Sequence, residues 1–165
     1  MIFFTGVGSD LRVYETVEPY RRVSVPCLTP GTMIHGIRFL QQEAESKEVL
    51  IAVFGQKETT LLRFSQGDQQ FCHLEVEWRM DISKDWIWDV ILGSFESNGS
   101  NTHLLRITAH NVVELWDYST KQLIKKTASS ENSILYSASL YYSESRGILA
   151  ACGTVFNQVC YWYYW

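Results

Sequence analysis

The feature that most constrains this chain is a repeat. An apolar run, a turn of small or polar residues, a second run and a closing aromatic recur four times. The copies open at Gly6, Gly55, Ala109 and Gly153 and close on Tyr14, Phe64, Trp116 and Trp162. The closing aromatics follow one another at intervals of about 50 residues, near the roughly 40–50 residues that one four-stranded propeller blade occupies. Runs this short, set between turn residues, read as strands rather than helices.

The third copy is the clearest. Asp85-Trp86-Ile87-Trp88-Asp89-Val90 reads as one strand and Leu104-Leu105-Arg106-Ile107-Thr108 as a second. The turn Ala109-His110-Asn111 leads into Val113-Glu114-Leu115-Trp116-Asp117-Tyr118. A Trp-Asp pair at the end of a strand punctuates the blade of a WD-repeat propeller. The other copies lack the literal pair, so the repeats are degenerate. With 165 residues, about three blades fit, whereas closed propellers need roughly four to eight. The expected fold is therefore all-β: an incomplete WD-repeat β-propeller of about three blades. The approximate blades are residues 1–32, 33–84, 85–132 and 133–165, with the first and last incomplete. The final run, Tyr161-Trp162-Tyr163-Tyr164-Trp165, reads as a strand with no turn after it, which suggests a truncated product.

Local chemistry fills in the strands. Gly8-Ser9-Asp10 supplies the turn of a first hairpin, since glycine accepts positive φ. Pro26 marks the strand beginning at Arg22 as an edge strand, because proline cannot donate to a ladder. The nearly continuous apolar runs at 48–54 and 147–152 read as inner strands buried on both faces. Cys72, Leu74, Val76 and Trp78 alternate with His73, Glu75, Glu77 and Arg79, the pattern of a half-exposed strand running from Phe71. Ile134, Tyr136, Ala138, Leu140 and Tyr142 share one face by the same alternation, in a blade that opens at Ser133. The polar stretches 41–48 and 96–102 read as loops.

Catalytic signals are poor. Asp81, Asp85 and Asp89 recur every fourth residue, but on a strand Asp85 and Asp89 lie about 13 Å apart, too far to act on one bond. They read as hydrogen-bonding residues of the blade loops. His35, His73, His103 and His110 show no metal-ligand spacing, and Gly6-x-Gly8 lacks the third glycine of a phosphate loop. In His110-Asn111 an asparagine stands where a turn aspartate would complete a histidine network. The expectation is no enzyme: no catalytic residue, no cofactor and no metal site.

With 14 basic and 18 acidic residues, a net charge of −4 gives no bulk footprint for nucleic acid. Cys27, Cys72, Cys152 and Cys160 lack C-x-x-C spacing and lie in apolar runs, which reads as four reduced, buried thiols. No secretory leader is visible and no apolar run approaches the ~18 residues of a membrane helix. A cytoplasmic protein with no membrane contact is expected. Trp86, Trp88, Trp116 and Tyr118 are of the type that dominates binding hot spots, and Arg21-Arg22 and Lys125-Lys126 are paired basics.

Three motifs go beyond a generic blade: Ile34-His35-Gly36-Ile37 followed by residues 50–55, then residues 85–90, then Gly153-Thr154-Val155-Phe156-Asn157-Gln158-Val159. Together they resemble the N-terminal propeller of the WD repeat-containing protein six family. That resemblance implies a non-catalytic scaffold subunit. Its partner would be an FtsJ-type tRNA ribose methyltransferase that 2′-O-methylates the wobble nucleotide, with tRNA met indirectly or through the complex. It implies that S-adenosylmethionine sits on the partner. The alternatives are a generic WD-repeat protein-protein interaction module and a truncated isoform without retained activity. The candidate partner-binding residues are His35, Arg38, Trp86, Trp88, His110 and Asn157.

Overall fold

The computed structural model describes residues 1–16, 20–40, 48–66, 72–95, 102–128, 134–143 and 146–164. Among them the regular structure is strand alone, in two compact units, Met1–Lys84 and Asp85–Trp165. The expected loops at 41–47 and 96–101, and the positions Phe71, Ser133 and Trp165, lie outside the described residues.

The first unit holds two antiparallel sheets. β1 (Ile2–Val7), β2 (Asp10–Glu15) and β3 (Arg22–Pro26) form one, in that order. β4 (Gly36–Phe39), β5 (Glu48–Gly55), β6 (Glu58–Gln66) and β7 (Cys72–Arg79) form the other, again in chain order. Sequential strands joined by short turns pair with their neighbours, which makes each sheet a meander. Gly8 has φ +60° in the β1–β2 turn, the left-handed region glycine tolerates. Pro26 lies on the edge strand β3, where its missing N–H breaks no ladder.

A single apolar cluster holds this unit together. Leu11 and Val13 of β2 meet Ile51 and Val53 of β5, Leu62 and Phe64 of β6, and Leu74 of β7, with Cys27 and Leu28 beside them. Each fully buried aliphatic side chain contributes roughly 1.5–3 kcal/mol. β5 is buried on both faces from Leu50 to Gly55, as its continuous apolar run requires. Polar groups fasten the rim of the cluster. The carbonyl of Cys27 accepts from Thr60 Oγ1 at 2.7 Å and from Arg79 Nη1, while Arg79 Nη2 donates to Pro26 O at 2.7 Å. A bulge opposite Leu61 and Leu62 interrupts the alternation of β7, and Glu77 and Trp78 are both half-buried there.

The second unit repeats the design. β8 (Ile87–Gly93), β9 (His103–Thr108), β10 (Val112–Asp117) and β11 (Gln122–Ala128) form a four-stranded sheet. β12 (Leu135–Ser143), β13 (Gly147–Thr154) and β14 (Val159–Tyr164) form a three-stranded one. Leu105, Ile107, Val113 and Leu115 pack against Leu135, Leu140, Ile148, Ala150 and Cys152. The Trp-Asp pair closes β10: Asp117 Oδ1 accepts from Ser119 Oγ at 2.6 Å and Thr120 N at 2.8 Å, which builds the turn into β11.

Three expectations need correction. Residues 134–142 do not keep strict alternation, because a bulge between Leu135 and Ser137 shifts the register. Leu135 is therefore buried, while Ile134 and Tyr136 are exposed. Nor is β13 buried on both faces: Ile148, Ala150 and Cys152 are covered, whereas Ala151 is exposed. The four cysteines are free thiols, but only Cys27 and Cys152 are buried, with Cys72 and Cys160 half-buried.

The four sequence copies are the four hairpins β1–β2, β5–β6, β9–β10 and β13–β14. Each turn carries one residue in the left-handed region: Gly8, Gln56, Asn111 and Asn157, with φ 60°, 50°, 56° and 59°. Each closing aromatic, Tyr14, Phe64, Trp116 and Trp162, lies on the second strand of its hairpin. These meandering sheets are the blades of an incomplete WD-repeat propeller.

Candidate interaction surface

The six candidate residues divide between the units. His35 and Arg38 belong to the first. Both are exposed, His35 just before the edge strand β4 and Arg38 on it, and the His35 N–H donates to Phe54 O at 2.9 Å. Trp86, Trp88, His110 and Asn157 belong to the second, where backbone bonds gather them at one end.

That end is assembled from the entry to β8 and from turns. Ala109 N donates to Trp86 O at 2.8 Å, and Leu135 N donates to Ala109 O at 2.7 Å. Val155 N donates to Ile134 O at 3.1 Å, which brings the β13–β14 turn alongside the start of β12. The Trp86 and Trp88 rings are tilted, with centroids 5.9 Å apart. Trp88 is an anchor as much as a surface group: it packs on the apolar cluster, and its Nε1–H donates to Leu135 O at 3.1 Å.

His110 is an exposed polar group of this end, as is Asn157. The Asp85 carboxylate meets its ring Nδ1 at 2.5 Å and accepts its backbone N–H at 2.7 Å. Burial pushes the Asp85 carboxyl up, but the His110 ring and the N–H groups of Trp86 and His110 outweigh it and hold the group below its usual value. The turn therefore has its acidic partner despite Asn111, supplied from 25 residues upstream. Asn111 itself is buried in the left-handed region, a conformation asparagine tolerates better than most residues. Asp85 and Asp89 do not form a catalytic pair. Asp85 precedes β8, a bulge separates Ile87 from Asp89, and the buried Asp89 carboxylate accepts Leu140 N at 2.8 Å and Ser139 Oγ at 3.3 Å.

Sequence reasoning missed the apolar rim beside His110. Ile134, Tyr136, Val155 and Phe156 are all exposed, Phe156 by 72%. Val155 and Phe156 occupy a hairpin turn, where small and polar residues are the rule. That misplacement was the available signal. An exposed aromatic on a turn that is bonded to Ile134, at the same end as a half-buried tryptophan pair, has the makeup of a protein-docking hot spot.

The second notable cluster lies on β9, β10 and β11. Glu114 is registered opposite Arg106 on one side and Lys126 on the other. Arg106 Nη2 and Nε both donate to Glu114 Oε2, at 2.6 and 2.9 Å, and Lys126 Nζ lies 3.2 Å from Oε1. The guanidinium stands 5.5 Å from the Trp116 ring centroid. Burial raises the Glu114 carboxyl, but Arg106 foremost and Lys126 after it hold the group below its usual value. This is a structural brace of the blade rather than an open site.

No protein-family model matches the chain. Among solved structures, the fold is similar to a chain of Chaetomium thermophilum Polycomb Repressive Complex 2 bound to GSK126. The TM-score is 0.59 at 12% identity, covering 77% of this chain and 28% of that one. A chain of apo ctPRC2 in an autoinhibited state gives 0.61 at 11% identity, covering 79% and 28%. At these identities the likeness speaks for the propeller fold alone. Sequence relatives are more specific. The tRNA (34-2'-O)-methyltransferase regulator WDR6 of Rattus norvegicus is 28% identical over 168 residues, covering 96% of this chain and 14% of the relative. The protein of the same name from Mus musculus is 29% identical, covering 96% and 14%, and that from Homo sapiens 27%, covering 99% and 13%. The chain thus spans about one seventh of the length of these relatives. With its blades built as described, the chain is similar to the WDR6 proteins along 96–99% of its residues.

Proposed function

We propose that this chain is a non-catalytic WD-repeat scaffold of a regulator that helps an FtsJ-type methyltransferase 2′-O-methylate nucleotide 34 of tRNA in the cytoplasm. The observation that carries the reading is the likeness over 96–99% of the chain to relatives named as regulators of that methylation. In this reading the methyltransferase supplies the S-adenosylmethionine chemistry, and tRNA is met through the complex. The end of the second unit bearing His110, Trp86, Trp88, Phe156 and Asn157 presents the docking surface, while the exposed His35 and Arg38 are separate candidate contacts of the first unit. Successive sheets act as blades, and none needs a reactive centre.

The test is co-purification. The tagged chain is incubated with an FtsJ-type tRNA ribose methyltransferase, and retained enzyme and methylation of nucleotide 34 are both measured. Retention is expected, with at least a ~tenfold loss of affinity in Val155→Ser/Phe156→Ser, since a central hot spot is worth ~2 kcal/mol or more. Failure of the chain to retain the methyltransferase, with only unrelated proteins captured, would replace this reading by that of a general interaction module.

A further inference from the structure

Cys152 and Cys160 lie directly opposite each other in the antiparallel pair β13–β14. Directly opposed residues point to the same face of a sheet. Here that face is the packed one: Cys152 belongs to the apolar cluster, and Trp162, two residues beyond Cys160, packs against it. Opposed Cα atoms in an antiparallel pair stand about 4.5–5.5 Å apart, inside the roughly 4.4–6.8 Å that a disulfide spans. Both are free thiols. The other two cysteines have no such neighbour. Cys27 is buried with its thiol 3.2 Å from Val25 O, and the Cys72 thiol donates to the Glu15 carboxylate at 2.8 Å.

We propose that Cys152 and Cys160 are a thiol oxidation site, closed to a cross-strand disulfide by a small-molecule disulfide of the oxidised-glutathione class. Access orders the steps. Cys160 is half-buried on the edge strand β14, whereas Cys152 is 2% exposed. The Cys160 thiolate attacks one sulfur of oxidised glutathione, its S–S bond breaks, and one glutathione leaves as thiolate. The Cys152 thiolate then attacks the Cys160 sulfur of the mixed disulfide and expels the second glutathione. Two protein thiols are oxidised, one glutathione disulfide is reduced to two thiols, and the two protein thiol protons pass through solvent to the departing thiolates. Burial first, and the neighbouring Cys160 second, push the Cys152 thiol up to about 12. Closure is therefore the slow step and quickens as pH rises. The bond ties edge strand β14 to β13 beside the turn that carries Phe156 and Asn157.

The test starts from the parent chain. No Lys or Arg follows Arg146, so trypsin releases residues 147–165 with both cysteines on one peptide. The folded chain is incubated with oxidised glutathione, alkylated, digested and weighed. The expected peptide is two hydrogens lighter and unalkylated, while the peptides of Cys27 and Cys72 are alkylated. Cys152→Ser should instead carry a stable glutathione adduct on Cys160, and Cys160→Ser should leave Cys152 unmodified. A parent peptide that remains alkylated at both cysteines, or holds only a persistent glutathione adduct, overturns the proposal. So does closure that is equally selective in urea, where register cannot direct it. None of these readouts depends on a methyltransferase.

Discussion

Replacing Glu114 by alanine tests the claim that a buried charge row braces the third blade. The side chains of Arg106 and Glu114 are 3% and 9% exposed, so their attraction is little screened by water. Glu114→Ala removes two charge-assisted hydrogen bonds and strands a guanidinium in a buried position. Breaking such a pair from one side costs ~3–5 kcal/mol. The Trp116 ring, 5.5 Å from the guanidinium in the parent as well, still faces the stranded cation, which puts the loss at the lower end of that range. The expected loss is therefore about 3 kcal/mol. Arg106→Leu/Glu114→Leu removes both charges and refills the space with apolar volume, so it should cost only ~1 kcal/mol or less. Urea unfolding followed by tryptophan emission reads this directly, because five of the six tryptophans lie in the second unit. The double variant must come out more stable than Glu114→Ala. If the single change costs under ~1 kcal/mol, or the double change equals the sum of both singles, the pair is not coupled and the account is wrong.

Two further perturbations follow from the same geometry. Glu114 and Asp85 both have carboxyls held below their usual values, 4.5 and 3.8. A depressed folded value means that their stabilisation is complete above those usual values and is lost as pH falls through the folded ones. The urea midpoint of the parent should fall steeply below about pH 4, and Glu114→Gln/Asp85→Asn should flatten that slope; an unchanged slope refutes the assignment. Gly55→Ala should destabilise the first unit by ~2 kcal/mol or more, since the added Cβ would overlap the Met33 carbonyl, a backbone group that cannot step aside. A melting temperature within error of the parent's, measured by circular dichroism, would show that the close approach is not tight.

Much of the fold was legible because the side-chain period of a strand and the chemistry of turns are local. Gly8, Pro26 and Asp117 each act as their residue type dictates, one at a positive φ, one on an edge strand and one in a turn after a strand. Beside the burial of β13 and of Cys72 and Cys160, which depends on what covers each sheet face, two readings failed at bulges. One extra residue at 135–137 moves Leu135 inward and Tyr136 outward, and another at 87–89 breaks the spacing of Asp85 and Asp89. A bulge depends on which partner strand sets the register, which local pattern does not encode. The candidate surface was legible only in pieces. His110 and the Trp86–Trp88 pair announced themselves by type, but the link from Asp85 to His110 crosses two strands. The exposure of Ile134 depends in turn on the same bulge.

The carboxylates show how a chain with acidic residues at tempting intervals can lack catalytic geometry. Two of the three regularly spaced aspartates, Asp85 and Asp89, have their carboxylates committed to donors, and so have Glu114 and Asp117. Asp85 holds the His110 turn, Asp89 holds Leu140 of the neighbouring sheet, Glu114 holds Arg106, and Asp117 holds its own turn. The Asp85 and Asp89 ties reach 25 and 51 residues along the chain, and the Asp89–Leu140 bond joins two sheets. Buried or half-buried acids with satisfied oxygens cost little and specify much, whereas a general base must keep an oxygen available to substrate. These four acids are thus absorbed in positioning strands and turns. Beside the exposed His110, the second unit also leaves apolar groups at the surface: Ile134, Tyr136, Val155 and Phe156. In the proposed reading such a chain acts through what docks on it, and the exposed Val155 and Phe156 of the turn between β13 and β14 are the side chains offered there.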